Sequence, residues 1–463
     1  MDSRNSRASQ EMETHLRLIK NADYILLHFT ELPGSFKGRT VLAKEAEKTL
    51  RQGVGFDGSS IIGGVTIDKS DMVMKPDAST FAVCPHYFYD NAVVSFICDI
   101  YAPDGKRFQS DPRYVCQQIT KKIRAKGYTP TAAAELEFYL VRKTDEGKLY
   151  PVENHVADKH RYFDIAPDRD TTETYRMDLS NALLTMGINV EQQGHEVGSA
   201  QNEITFTYSD PVTTSDNIIR HKFAAKAVAT KKYGWTATFM PKPWFGKAGN
   251  GMHAHLGLFD RETGANLFFA PDGYAHISQM CRYFIGGLVD HARALCALVA
   301  PTVNSYKRLV PGYEAPVYIA WSRRNRSALV RVPGYFPGKE NEARIELRSP
   351  DPLCNPYLAY AGMFEAGLDG VAKKIDPGNP VDTNIYHLSN AKRKELGIGV
   401  LPTSLKAAVE EWDTDDICIR ALGKENAEKY VELKTQEWKE YEAHQPNEKN
   451  KITLWETQKY LYT

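Results

Sequence analysis

Thr131-Ala132-Ala133-Ala134-Glu135-Leu136-Glu137-Phe138-Tyr139-Leu140-Val141 is the stretch that decides how this chain is read. Successive side chains of a β-strand point to opposite faces. Leu136, Phe138 and Leu140 then share an apolar face, and Glu135, Glu137 and Tyr139 share the other. Both carboxylates are thereby aimed into one space, on a sheet that buries its opposite side. Taken singly, this pair also fits an ordinary exposed strand face.

Acidic residues recur beside polar or basic groups along the chain. The runs are His195-Glu196 with Asn202-Glu203 after it, Gly249-Asn250-Gly251-Met252-His253, and Arg344-Ile345-Glu346-Leu347-Arg348. Oxygen-rich ligand sets with at most one imidazole per ion favour magnesium or manganese over zinc, which prefers Cys and His. Arginines beside carboxylates suit a pocket in which a metal and an anionic substrate meet. Together the runs imply a carboxylate-rich, two-metal site for phosphoryl transfer.

The bulk composition sets the frame. A chain of 463 residues exceeds one small core, so two domains are expected. Lys+Arg and Asp+Glu both number 58, and this zero net charge argues against a nucleic-acid or anionic-membrane partner. The cysteines at 84, 98, 116, 281, 296, 354 and 418 form no CxxC pair and read as buried, reduced thiols. The polar start has no secretory apolar core, and no apolar run approaches a membrane span. A soluble, cytoplasmic protein is expected.

Further signals order the rest. Tyr24–Phe29 and Ala92–Cys98 read as strands, and Lys44–Gln52 as a helix stopped by Gly53. Asp111-Pro112-Arg113 opens a helix with an N-cap and a first-turn proline, placing a domain boundary between residues 16–109 and 110–463. Beyond it, Ile204–Tyr208 reads as a strand, and 215–233, 277–299 and 356–372 as helices. The charged segment Glu425–Glu448 reads as a solvated helix. Gly53-Val54-Gly55-Phe56-Asp57-Gly58 matches GxGxxG, but a helix precedes it and none follows, which is the wrong setting for a dinucleotide. There is no GxxxxGK[ST], HExxH, GxSxG or protein-kinase signature.

One resemblance spans almost the whole chain. Phe56-Asp57-Gly58-Ser59-Ser60, Glu135-Leu136-Glu137, His195-Glu196-Val197 through Gln201-Asn202-Glu203, Lys242-Pro243 through Gly251-Met252-His253, Asn304 through Pro316, Arg324-Asn325-Arg326-Ser327 and Arg344 through Arg348 resemble the signature set of the type I glutamine synthetases, in that family's order. The resemblance implies an α+β fold: a small β-grasp-like N-terminal domain and a larger catalytic domain with an antiparallel sheet. It implies ATP-dependent ligation of ammonia to L-glutamate through a γ-glutamyl phosphate. It also implies two or more Mg²⁺ or Mn²⁺ ions per site and a dodecamer of two stacked hexameric rings with sites between subunits.

Residue by residue, the resemblance assigns Glu137, Glu196 and Glu203 to one metal, and Glu135, His253 and Glu346 to the other. Arg308 and Arg348 match glutamate contacts, with Gly249 and Tyr162 in the substrate pocket; Arg326 matches the arginine at the transferred phosphoryl group. Arg331, Arg344, Glu191 and His255 match positions at ATP. Asp57 matches the base that takes a proton from ammonium, and Glu314 lies on the loop closing the glutamate entrance.

The chain departs from the pattern in three places. Ala248 stands where the family usually has an asparagine that helps bind glutamate, and Asn250 where it has serine. Lys159-His160-Arg161 replaces a glycine pair before Tyr162, and Thr66 stands where some feedback-inhibited relatives carry arginine. Tyr386, in Asn384-Ile385-Tyr386-His387-Leu388, resembles the tyrosine that the beta branch modifies with AMP. The short connection from Lys148 to Arg161 instead resembles the unmodified alpha branch. A γ-glutamyl ligase for an organic amine is the nearest rival reading, suggested by Ala248 and opposed by the retained Asp57 and Tyr162. A catalytically silent structural relative is a remoter one, and the complete ligand set opposes it.

Overall fold

A computed structural model describes residues 13–14, 16–144, 148–153, 162–312, 315–444 and 451–463. Glu314 of the expected closing loop and the Lys159-His160-Arg161 segment lie outside the described residues, as do 154–158 of the connection before them.

The first sheet uses β1 (Tyr24–Thr30), β2 (Phe36–Leu42), β3 (Val54–Asp57), β4 (Asp71–Pro76), β5 (Ala82–Val83) and β6 (Val93–Tyr101). Its order is β2-β1-β6-β4-β3, with β5 also on β6. β1 runs parallel to β6, and the other pairs are antiparallel. Alternation along β1 and β6 sends Ile25, Leu27, Phe29, Val94, Phe96 and Cys98 into one core beneath the helix Ala46–Gln52. That helix ends at Gly53, whose φ of 77° needs glycine, and the GxGxxG run then continues as strand β3. It is no phosphate loop, as the sequence indicates.

The second sheet is built on β7 (Tyr128–Lys143), with β8 (Leu149–Pro151), β9 (Val190–His195), β10 (Gln201–Phe206), β11 (Thr236–Thr238) and β12 (Met252–Asp260). After β13 (Tyr318–Ile319) come β14 (Trp321–Arg323), β15 (Val330–Val332) and β16 (Ile345–Leu347); β17 (Gly399–Val400) pairs only with β13. The order β14-β15-β16-β12-β7-β10-β9 is antiparallel except for β14 and β15. Helices Pro112–Ala125 and Pro211–Val228 cover one face of β7, burying Ala132, Ala134, Leu136, Phe138 and Leu140. The carboxylate face is left open to the site.

Four elements differ from their sequence reading. β10 begins at Gln201, ahead of the apolar alternation from Ile204, because Gln201 and Asn202 are buried in side-chain hydrogen bonds that hydrophobic periodicity does not register. The helix expected from Ser215 starts at Pro211, capped by the Asp210 carboxylate on Val212 N at 3.0 Å, and its end widens into a π-turn over Ala229–Tyr233. The helix expected over 277–299 breaks at His291, whose ring joins Asp415 at 2.8 Å and Asp369 at 3.1 Å. The charged segment near the C-terminus forms a helix over Lys424–His444 but is not simply solvated. It buries Ala427, Tyr430, Tyr441 and the Lys434–Glu437 ion pair, because charged residues at helical spacing can pair across a covered face.

Candidate active site

Sheet register brings the acidic runs together. Glu135 on β7 lies opposite His253 on β12, and Glu137 lies opposite Glu203 on β10. Glu346 on β16 lies opposite His255 on one side and Arg331 on the other. Two triads result, Glu135–His253–Glu346 and Glu137–Glu196–Glu203, each with its ligand atoms within 4.8 Å of one another. Each triad gathers the residues that the resemblance assigns to one metal.

Hydrogen bonds orient the first triad. Glu135 bonds His253 Nδ1 through one oxygen and His255 Nε2 through the other, both at 2.9 Å. Arg344 Nε donates to His255 Nδ1 at 3.2 Å, so the ring proton of His255 is on the nitrogen facing Glu135. Burial works against the Glu135 carboxylate, but hydrogen bonds from His253 and His255 hold it well below the usual carboxylate range. In the second triad the balance reverses. Burial first, then the negative charge of Glu135, Glu196 and Glu137, pushes Glu203 far up, and burial raises Glu137 as well. Glu137 is aimed by Gly251 N at 2.7 Å and Gln201 Nε2 at 3.3 Å. Five carboxylates converging with one imidazole fit hard divalent cations with oxygen ligands.

Arginines surround this acidic centre. Arg331 and Arg348 both pair with Glu346, yet the Nε–H of each is buried without a hydrogen-bond partner among the described residues. Buried orphan donors are rare in folded proteins, and two beside one carboxylate centre suit an absent anion. Arg308 is held by the carbonyls of Ser349 at 2.9 Å and Pro350 and Arg348 at 3.1 Å. Gly249 lets that arginine come close, since a Cβ there would lie 2.6 Å from Pro241 O and 3.0 Å from Arg308 Cγ. Arg326 is exposed at the rim, and its charge acts on the half-buried Tyr162, which also feels Glu196 and Glu203. Glu191 lies exposed on β9.

Asp57 belongs to neither triad. It sits exposed at the end of β3 in the other sheet, accepting from Ser59 N at 2.9 Å and from Ser59 and Ser60 hydroxyls at 2.6 Å.

The sequence reading also missed a buried network behind β9 and β10, made by Glu153, Asp170, Thr172, Arg176, His195 and Asn202. Only the adjacency of His195 to Glu196 and of Asn202 to Glu203 hinted at it.

Comparison with known proteins bears on this geometry. Residues 109–460 match the family profile described as glutamine synthetase, catalytic domain, and residues 21–103 match glutamine synthetase, beta-Grasp domain. The chain belongs to the glutamine synthetase family. A glutamine synthetase of Thermotoga maritima is 44% identical over 453 residues, covering 97% of this chain and 99% of the relative. One from Methanosarcina mazei is 43% identical over 451 residues, covering 97% of each. Among solved structures, "GmaS/ADP complex-Conformation 1" superposes with a TM-score of 0.81 at 29% identity, covering 95% of this chain and 97% of that one. The β-grasp and catalytic-domain architecture is therefore that of the family, whose enzymes use ATP and divalent metals. Among the described residues no helix is long and apolar enough to cross a membrane.

Proposed function

We propose that this chain is an ATP-dependent glutamate–ammonia ligase that forms L-glutamine, ADP and phosphate. The observation that carries the reading is the pair of triads on one sheet face, flanked by the orphaned Nε groups of Arg331 and Arg348. Full-length relatives named glutamine synthetase support it.

The γ-carboxylate of glutamate becomes an acyl donor once ATP phosphorylates it to a γ-glutamyl phosphate; ammonia then displaces phosphate. Arg308 and Arg348 are assigned to the glutamate carboxylates, with Gly249 and Tyr162 lining that pocket. Arg326 takes the transferred phosphoryl group, and Arg331, Arg344, His255 and Glu191 take ATP. Asp57, supplied by a neighbouring subunit, attracts ammonium and removes its proton. Glu314 belongs to the loop that excludes water from the acyl phosphate. The two triads are assigned to two or more Mg²⁺ or Mn²⁺ ions, which when bound neutralise charge on the phosphoryl oxygens.

Exposure of Asp57, on a different sheet from the two triads, favours an assembly with sites between subunits, here the double-ring dodecamer. Buried free thiols favour the cytoplasm. We assign the chain to the alpha branch of type I and its domains to residues 16–109 and 110–463.

A γ-glutamyl ligase for an organic amine is the second reading, favoured by Ala248 at the usual asparagine position. Steady-state ADP release with glutamate and either ammonium or a panel of primary amines decides between them. Ammonium is expected to give the highest kcat/KM; an amine that exceeds it moves the assignment to the second reading.

A further inference from the structure

The turn from Glu196 to Glu203 contains a strained residue beside the carboxylate cluster. Ala200 is fully buried at φ 58°, in the left-handed region that side chains with a Cβ rarely adopt. Its N–H donates to Glu153 Oε2 at 2.6 Å. Its carbonyl accepts from Leu140 N at 3.0 Å and Asn202 Nδ2 at 2.9 Å.

Glu153 is buried and belongs to neither ligand triad. One oxygen accepts from Thr171 N at 3.1 Å, while the other, already on Ala200, also meets His195 Nε2 at 3.1 Å. His195 passes the constraint onward, because its Nδ1 lies 2.6 Å from the carbonyl of Glu196. A carbonyl only accepts, so Nδ1 is the donor. At the other end of the turn, Asn202 Oδ1 accepts from Thr172 Oγ1 at 2.9 Å and Arg176 Nη1 at 2.8 Å, next to Glu203.

Glu153, Asp170 and His195 have ligand atoms within 4.8 Å of one another and so have the spacing of a metal site. Their hydrogen-bonding atoms are already engaged. Asp170 Oδ1 accepts from Thr172 N at 3.1 Å and Thr172 Oγ1 at 3.0 Å, and Oδ2 pairs with Arg176. Both ring nitrogens of His195 are likewise bonded. An ion there would have to break these bonds and displace a paired arginine.

We infer that Glu153 is a positioning residue. Through Ala200 and His195 it holds the backbone that presents Glu196 and Glu203, and it binds no ion itself. The inference rests on the reading of Glu137, Glu196 and Glu203 as metal ligands. Outer groups that orient metal ligands typically change affinity about 10–100-fold when altered.

Titration of the full-length protein with Mn²⁺, followed by electron paramagnetic resonance, tests it. Glu153→Gln keeps the side-chain size, but one of its two terminal atoms becomes a donor, so it cannot accept from Ala200 N on one oxygen and Thr171 N on the other. The variant is expected to bind as many ions as the parent, with one class weakened about 10–100-fold and the other unchanged. Adding Ala200→Gly, which adopts the left-handed conformation without strain, is expected to recover part of the loss. One ion fewer at unchanged affinity for the rest would make Glu153 a ligand and overturn the inference. Unchanged affinities, or no recovery on adding Ala200→Gly, would overturn it too. A parent that binds no Mn²⁺ would instead sink the ligand assignment. His195→Gln, which leaves Glu153 on Ala200, repeats the test if Glu153→Gln fails to fold: the same selective loss supports the inference, and unchanged affinity defeats it.

Discussion

Glu203 on β10 stands directly opposite Glu137 on β7, in register across an antiparallel pair. Like charges facing one another across strands are destabilising, and here both carboxyl groups are also raised by burial. The position is costly to the fold in the absence of a cation. That cost gives the site a thermodynamic signature.

A carboxyl whose folded-state pKa is raised favours folding while it is protonated. The contribution is present below the unfolded value of 4.5 and is lost as pH rises through the folded value. Metal-free protein is therefore expected to lose stability as pH climbs above the ordinary carboxylate range. Saturating Mg²⁺ or Mn²⁺ should raise Tm more at about pH 8 than at about pH 6. Glu203→Gln should raise the metal-free Tm and shrink the metal-induced gain. Scanning fluorimetry with and without chelator measures both, and an equal gain in variant and parent would remove Glu203 from the metal site.

Glu346 pairs with Arg331 and Arg348 at once. Glu346→Ala would strand the buried Arg348 guanidinium and the partly buried Arg331 one, a loss of about 3–5 kcal/mol of stability for breaking a buried pair. Glu346→Gln and His253→Ala are the cleaner probes of the metal. Each is expected to weaken one ion and the handling of ATP together, removing several kcal/mol of transition-state stabilisation. Metal titration beside single-turnover ADP formation checks this; normal values for both variants would reduce the two residues to sheet packing.

Asp57→Ala is expected to slow amide formation roughly 10²–10⁴-fold while sparing glutamate binding, as for loss of a general base. Because Asp57 is exposed and lies on a different sheet from the two triads, complementation is also expected. Co-assembling Asp57→Ala with Glu346→Gln subunits should restore part of the activity, since some interfaces then hold two intact halves. No recovery in mixed oligomers would argue that each site is built from a single chain.

Tyr386 is half-buried, and its hydroxyl donates to Ala315 O at 2.9 Å. A hydroxyl held in this way is a poor acceptor for AMP, so protein from nitrogen-rich cells is expected to show no adduct in intact-mass analysis. Thr66 is exposed and cannot offer the charge of the arginine found in feedback-inhibited relatives, so direct glutamine inhibition should be weak. An adduct mapped to Tyr386, or strong inhibition of unmodified enzyme, would reverse the corresponding assignment.

Much of the fold was legible locally. Alternation along β7 and the Asp111-Pro112 helix start are short-range signals, and the structure keeps both. Where burial was bought with polar contacts, as at Gln201, His291 and the Lys434–Glu437 pair, hydrophobic periodicity carried no signal.

By itself the sequence determined the residue types at the site: carboxylates at alternating strand positions and at most one histidine per expected ligand set, a pattern that favours magnesium or manganese over zinc. The resemblance named the two groups, but the tertiary structure alone provides the contacts within each. Glu135 meets His253 and Glu346, and Glu137 meets Glu203, through the register of β16, β12, β7 and β10. Register is a long-range property, set by backbone pairing between segments far apart in the chain, and a shift of one residue would turn each carboxylate to the opposite face. The Glu153–His195–Ala200 clamp belongs wholly to that second category, because its partners share no periodicity and meet only when the sheet has formed.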